Sequence, residues 1–207
     1  MTRRELLLKC AAYGCLTAAP SLSLAAAVTS LTEPSGSARR PTPANEIGPF
    51  YKRLAPHKTV LHVPGDQGLP VKVSGRVLDT QGRKLEGAKV EIWHADHFGH
   101  YDVEGYRFRA MLTADSQGQY AFESVMPGHY PDRVCQHVHY LVSAPGFKSL
   151  VTQLYFATDP VFEGNPDRNF MRDPLIQHRE LVRPVMLAGD PKSIHAEVNF
   201  ELVLESL

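Results

Sequence analysis

The sequence predicts an all-β fold, a β-sandwich with long loops and little helix. Three observations carry that expectation. Several short segments alternate apolar and polar residues with the period of two that sends successive side chains to opposite faces of a strand. Turn residues separate these segments at roughly 8 to 12 residue intervals. The 207 residues also include 16 prolines and 15 glycines, a punctuation that suits strands and turns rather than a helical bundle.

The first regular segment is Val71-Lys72-Val73-Ser74-Gly75-Arg76-Val77-Leu78, closed by the turn Asp79-Thr80-Gln81-Gly82. Residues 87–93 alternate again, with Ala88, Val90 and Ile92 on one face, and the two segments are expected to be antiparallel neighbours. Further strands are expected over 106–112, over 119–123 after the turn Asp115-Ser116-Gln117-Gly118, and over 137–144, 150–156 and 197–204. One short helix is expected, within 167–172 or 175–179. Residues 54–69, which contain Pro56, Pro64 and Gly65, read as irregular.

The ends of the chain set its organisation. Residues 1–29 begin with Arg3-Arg4, run through a mostly small and apolar stretch and close on Ala25-Ala26-Ala27, the pattern of a cleavable export signal of the twin-arginine type. A membrane anchor fits less well, because Pro20 and several hydroxyl residues interrupt the run, which lacks the ~20 strongly apolar residues a span needs. The expectation is therefore a periplasmic or extracellular protein with no stable membrane association after cleavage. Residues 30–46 are Ser, Thr, Pro and Ala without apolar period, expected as a linker or mobile arm, and residues 47–207 form the folded domain. Within it Gly48-Pro49-Phe50-Tyr51 is a turn with two aromatics, expected to dock the arm, with Tyr51 as a packing anchor.

Charge and cysteine usage exclude several classes. With 22 basic and 22 acidic residues, nothing in the bulk charge favours nucleic acid or an anionic membrane surface. Cys10 and Cys15 fall in the expected signal, so Cys135 stands alone afterwards and no intramolecular disulfide can form. A lone buried thiol reads as packing, since a hard metal ion has no need of a soft thiolate. No phosphate-binding glycine motif, nucleophile elbow or Cys-x-x-Cys pair occurs.

The chemistry concentrates in residues 127–140. His137 and His139 are one residue apart, so a strand points both imidazoles the same way. Tyr130 lies just upstream in a Pro/Gly turn, and Tyr101 ends the run that starts at Val90. Two phenolates and two imidazoles are expected to meet at one ion. Anionic oxygen donors suit Fe(3+).

These residues carry a resemblance. The segments Val73-Ser74-Gly75-Arg76-Val77-Leu78-Asp79, Gly87-Ala88-Lys89-Val90-Glu91-Ile92-Trp93-His94-Ala95-Asp96, Gly99-His100-Tyr101, Pro127-Gly128-His129-Tyr130, His137-Val138-His139 and Thr152-Gln153-Leu154-Tyr155-Phe156 resemble the intradiol ring-cleavage dioxygenases, the protocatechuate and catechol enzymes. The likeness covers roughly 48–204. It implies a non-haem ferric site in which Tyr101 and His137 are equatorial ligands and Tyr130 and His139 axial ones. It further implies that Tyr130 leaves the metal when a catechol-type diol chelates, acting as a base, and that Arg133 stabilises charge on the ring. Ring opening between the hydroxylated carbons with O2 would then give a muconate-type dicarboxylic acid. The implied partners are a small catecholic substrate and O2, and a homo-oligomer is compatible with this.

The sequence departs from the family in two places. Arg133 stands four residues before His137 where the family commonly has three, so a local bulge is needed to aim it, and Asp132 replaces a tryptophan frequent in the protocatechuate branch. Gln136 is expected to point away from the site. His94 reads as a structural hydrogen-bonding group; His97, His100 and His129 read as solvated loop side chains, and His57, His62, His178 and His195 as surface residues. Tyr106, Phe108 and Tyr155 read as core or pocket-wall aromatics. A cupin metal site is excluded by the lack of a carboxylate in 140–146. A non-catalytic transthyretin-like binding module is the alternative, because Gly-x-Val-x-Asp followed by Gly-Ala-x-Val is a general sandwich pattern.

Overall fold

Strand β1 (Pro70–Asp79) shows the alternation in full: Lys72, Ser74 and Arg76 are exposed, whereas Val71, Val73, Gly75 and Val77 are buried. The computed structural model describes residues 38–131 and 133–207, and the expected export signal lies outside them. Two five-stranded mixed sheets pack face to face. In the first, β1 pairs with β4 (Gln119–Val125) on one edge and with β9 (His195–Asn199) and β10 (Leu202–Leu204) on the other, and β8 (Met186–Ala188) continues from β9. The second has the order β3 (Arg109–Thr113), β2 (Lys89–Trp93), β5 (His137–Ser143), β6 (Leu150–Phe156), β7 (Val182–Arg183). The all-β sandwich is as expected.

One expected pairing is corrected. β1 and β2 are not antiparallel neighbours but belong to opposite sheets. After the turn the chain folds back only briefly, with the Leu85 N–H donating to the Val77 carbonyl, and then crosses the sandwich. Both edges of β1 are already taken, so Ala88, Val90 and Ile92 meet Val71, Val73 and Val77 within the shared core instead of along a ladder. Fully burying each large side chain there, among them Tyr140, Phe122 and Phe156, contributes about 1.5–3 kcal/mol.

The strand expected over 197–204 is two strands. It breaks at Phe200, whose N–H donates to the Ser74 carbonyl and whose carbonyl accepts the Tyr120 hydroxyl at 2.6 Å. Gly75 permits this, because a Cβ there would collide with the Phe200 backbone. The helix is α1 (Pro166–Asn169), capped by the Asn165 side chain and followed by a 3₁₀ turn over Phe170–Arg172, so the first of the two expected positions holds it. β7 and β8 were not expected.

The described part of the expected arm, residues 38–46, is tied to the body. Main-chain N–H groups of Arg39, Thr42 and Asn45 donate to the carbonyls of Thr80, Val203 and Val151. The Thr152 hydroxyl donates to the Pro43 carbonyl at 2.7 Å and the Gln153 amide to that of Glu46 at 2.8 Å.

Candidate metal centre

The centre sits on the face of β2, β5 and β6 opposite to Ile92, Val138 and Tyr140, which belong to the core between the sheets. Alternation makes this unavoidable, since His137 and His139 occupy the positions of β5 between those core residues. Register supplies their neighbours. His139 stands opposite Trp93 on β2 and Gln153 on β6, and His137 stands opposite Tyr155. The Trp93 indole consequently lies flat on the His139 imidazole, with centroids 5.0 Å apart and 6° between the planes.

The two tyrosines arrive on two loops in backbone contact. Gly128 N–H donates to the Asp96 carbonyl at 2.7 Å. A Cβ on Gly128 would collide with the His97 carbonyl, and one on Gly99 with the His129 carbonyl. Only glycine lets the loops approach this closely. Their neighbours Tyr101 and Tyr130 then meet edge to face at 5.7 Å.

The four expected ligands come together. The Tyr101 and Tyr130 hydroxyls each lie 3.3 Å from His137 Nε2. The His137 and His139 rings are 4.8 Å apart, and Tyr101 and His139 are 6.2 Å apart between centroids. His137 Nδ1 is 2.8 Å from the Cys135 carbonyl, which can only accept. That contact puts the ring proton on Nδ1 and leaves the Nε2 lone pair facing both phenols, the arrangement that orients a metal-ligating imidazole.

Electrostatics keeps the imidazoles neutral. Burial, reinforced by the Arg133 cation, lowers the His137 pKa to about 3. Burial together with His137 and Arg133 holds His139 well below the ordinary range. Burial also raises both phenols, Tyr101 more strongly because it additionally faces Tyr130. Without a metal the site is therefore a cluster of neutral donors, two oxygens that become anionic on metal binding and two nitrogen lone pairs. Such a set fits a hard trivalent ion. Among the described residues no group of three His, Cys, Asp or Glu converges elsewhere to hold a metal.

Arg133 reaches the site despite its spacing. A tight turn, with the Arg133 N–H donating to the Tyr130 carbonyl at 2.9 Å, brings it back beside Tyr130. Its guanidinium is buried and donates to Gln153 Oε1 at 2.8 Å and to the Tyr155 hydroxyl at 2.9 Å. Glu46 lies 3.5 Å away on one side and buried Asp173 at 3.9 Å on the other.

The remaining expectations sort clearly. His94 is buried and satisfied, with Nδ1 at the Ala95 carbonyl and Nε2 at the Ser124 hydroxyl. Gln136 points away and donates to the Pro127 carbonyl. Cys135 is buried, and burial pushes its thiol pKa up. His97 and His100 are exposed. His129 is not simply solvated, for its Nε2 lies 3.0 Å from the buried Asp159 carboxylate, which also accepts the N–H groups of Gln136 and Val161.

The walls of the centre carry no motif in the sequence. Phe50 stacks on Tyr101 at 4.2 Å and 12°. Arg109 is buried, donates to the Phe50 carbonyl at 2.5 Å and to the Asp102 carbonyl at 3.0 Å, and lies 6.0 Å over the Tyr101 ring. Gln153 and Glu46 complete the enclosure. A buried arginine in β3 and a glutamine in the apolar β6 were the available signals, since such groups persist in strands only with partners.

Residues 47–206 match a protein-family profile described as Dioxygenase. The chain is 29% identical over 193 residues to a hydroxyquinol 1,2-dioxygenase of Corynebacterium glutamicum, covering 79% of this chain and 63% of that protein. It is 32% identical over 148 residues to catechol 1,2-dioxygenase 2 of Acinetobacter lwoffii, covering 58% and 52%. The chain thus spans about half to two thirds of the length of these relatives. Among solved structures, the dioxygenase domain of a dioxygenase carbohydrate-binding protein fusion from Streptomyces sp. SirexAA-E superposes with a TM-score of 0.68 at 32% identity, covering 81% of this chain and all of that one.

Proposed function

The chain belongs to the intradiol ring-cleavage dioxygenase family, and from that premise we propose that it opens catechol-type rings between the two hydroxylated carbons. The substrate diol and O2 combine into one muconate-type dicarboxylic acid that keeps both oxygen atoms. The observation that carries this reading is the pair of phenol oxygens held 3.3 Å from the free lone pair of His137. Tyr101, Tyr130, His137 and His139 would hold Fe(3+). Bound there, the ion supplies Lewis acidity toward the diol and a template for O2.

The protein's own groups divide the work. His137 and His139 are neutral and act as fixed nitrogen donors rather than proton carriers. Tyr101 stacks on the Phe50 ring and lies 6.0 Å from the Arg109 cation, which suits a permanent ligand. Tyr130 sits on the loop beside Arg133, and its phenolate oxygen is the base that takes a substrate proton. The Arg133 guanidinium, held by Gln153 and Tyr155, stabilises the negative charge that develops on the ring oxygens. A binding module has no physical reason to gather two phenols and two proton-free imidazole nitrogens.

Oxygen uptake by the iron-loaded protein, screened against a panel of diols with mass analysis of products, tests the reading. One O2 consumed per diol with a product heavier by two oxygens is expected; no uptake with any diol rejects it. Export through the segment 1–29 belongs to the same proposal and is tested by cell fractionation.

A further inference from the structure

We propose that the Glu46 carboxylate makes this site selective for catechols without a ring carboxylate. The inference rests on the dioxygenase reading above and names its substrate class.

Glu46 is placed by its backbone. The Asn45 N–H donates to the Val151 carbonyl, the Asn45 amide to the carbonyl of Leu175 at 3.0 Å, and the Gln153 amide to the carbonyl of Glu46 at 2.8 Å. Two residues on, Gly48 presses against the His139 ring, where an added Cβ would lie 3.0 Å from Cε1. The stretch 43–50 is thus one wall of the centre, and the Glu46 side chain extends from it, 46% exposed, toward Arg133. A ring lying against both Tyr130 and Arg133 has this carboxylate at its border.

The charges around the site decide which rings are welcome. Arg133 would be the natural partner of an anionic substituent, but its charge is already flanked by two carboxylates. Glu46 faces one side of the guanidinium, and Gln153, Tyr155 and Asp173 face the other. Arg109 is spent on the carbonyls of Phe50 and Asp102. A substrate carboxylate would meet the Glu46 charge with no free cation to offset it. Specificity of this kind comes from a repulsive element rather than an added contact. An uncharged substituent feels no such penalty.

The test uses the full-length iron-loaded protein and two probes, catechol and 3,4-dihydroxybenzoate. Dissociation constants are read without O2 from the change in visible absorption, and kcat/KM from oxygen uptake. Expected are a preference of the wild type for catechol of about tenfold or more and a fall in that ratio of about tenfold in Glu46→Gln, for a like charge removed in a half-exposed site. Glu46→Asp should retain the preference, and salt should weaken it in the wild type but not in Glu46→Gln. Equal or better binding of the benzoate by the wild type, or a ratio unmoved in Glu46→Gln, overturns the inference alone. Failure of every diol to bind or consume oxygen overturns it together with the dioxygenase reading.

Discussion

The Trp93 indole lies 5.0 Å from the His139 imidazole with only 6° between their planes, so the orientation of one ligand candidate is set by the packing of a buried neighbour on the adjacent strand. Trp93 Nε1 is buried without a hydrogen-bond partner, so the ring contributes shape rather than polarity. Trp93→Phe keeps a flat ring and removes the unsatisfied donor, so it should cost less than removal of the whole ring. Trp93→Ala leaves a cavity and should lose about 3–5 kcal/mol in denaturant unfolding. With His139 freed to rotate, the alanine variant should also bind iron substoichiometrically while the phenylalanine variant loads normally.

Gly48→Ala tests the opposite wall. Gly48 has φ +68°, and the new Cβ would stand 3.0 Å from His139 Cε1. The left-handed backbone alone costs an L-residue about 1–2 kcal/mol. The contact is expected to push His139 out of line, so the tyrosinate charge-transfer colour of the iron-loaded protein should weaken or shift. Unfolding midpoint and visible spectrum measured on one sample separate the two effects.

Much of this architecture could be read from alternation, and the failures have physical causes. Period two tells which face of β1 and β2 is buried but not which strand lies alongside, so their assignment to different sheets was invisible. β7 and β8 are too short to show a period. Residues 38–46 are held largely through their main chain, which leaves no apolar period. The four donors were legible because they fall in two short motifs. Their walls were not, because Glu46 and Phe50 come from one irregular stretch and Arg109 and Gln153 from two different strands, and only the folded chain brings the three together.

Acid should unfold the metal-free protein through its buried histidines. His94 is lowered to about 4 and His137 to about 3, both chiefly by burial, and His139 is lowered as well. In the unfolded chain each titrates near 6.5. Below that value the unfolded state therefore binds more protons than the folded one, and stability falls with pH. The loss continues until the folded pKa values are reached. The expected slope is about 1 kcal/mol per pH unit for each histidine between roughly pH 6 and 4. Unfolding free energies across that range check it, and His94→Asn should flatten the slope by about one proton.

Alkali should act in the same direction for the phenols. Burial raises Tyr101, Tyr120 and Tyr140 above the ordinary value of about 10. Above pH 10 the unfolded chain loses phenolic protons that the folded metal-free protein retains, so the unfolded state gains and stability falls. Iron loading reverses the demand at two of the site's oxygens, because bound phenols must be ionised. Adding Fe(3+) near neutral pH is expected to release protons, measured in weak buffer, with less release in Tyr101→Phe and Tyr130→Phe. Equal release in both variants and the wild type would exclude phenolate ligation.

Arg133 and Asp173 are buried together, with the carboxylate 3.9 Å from the guanidinium. Removing one member of such a pair strands the other charge, which costs about 3–5 kcal/mol. Arg133→Met should therefore destabilise by that amount even in metal-free protein. Asp173→Asn keeps the oxygen that accepts the Leu175 N–H and leaves Arg133 its bonds to Gln153 and Tyr155, so its cost should be smaller. Combined, the two substitutions remove both charges, and the double variant should be more stable than the sum of the singles predicts by about 1–3 kcal/mol. Strict additivity in a double-mutant cycle would show that the two groups do not feel each other, and would leave Glu46 as the group that balances Arg133.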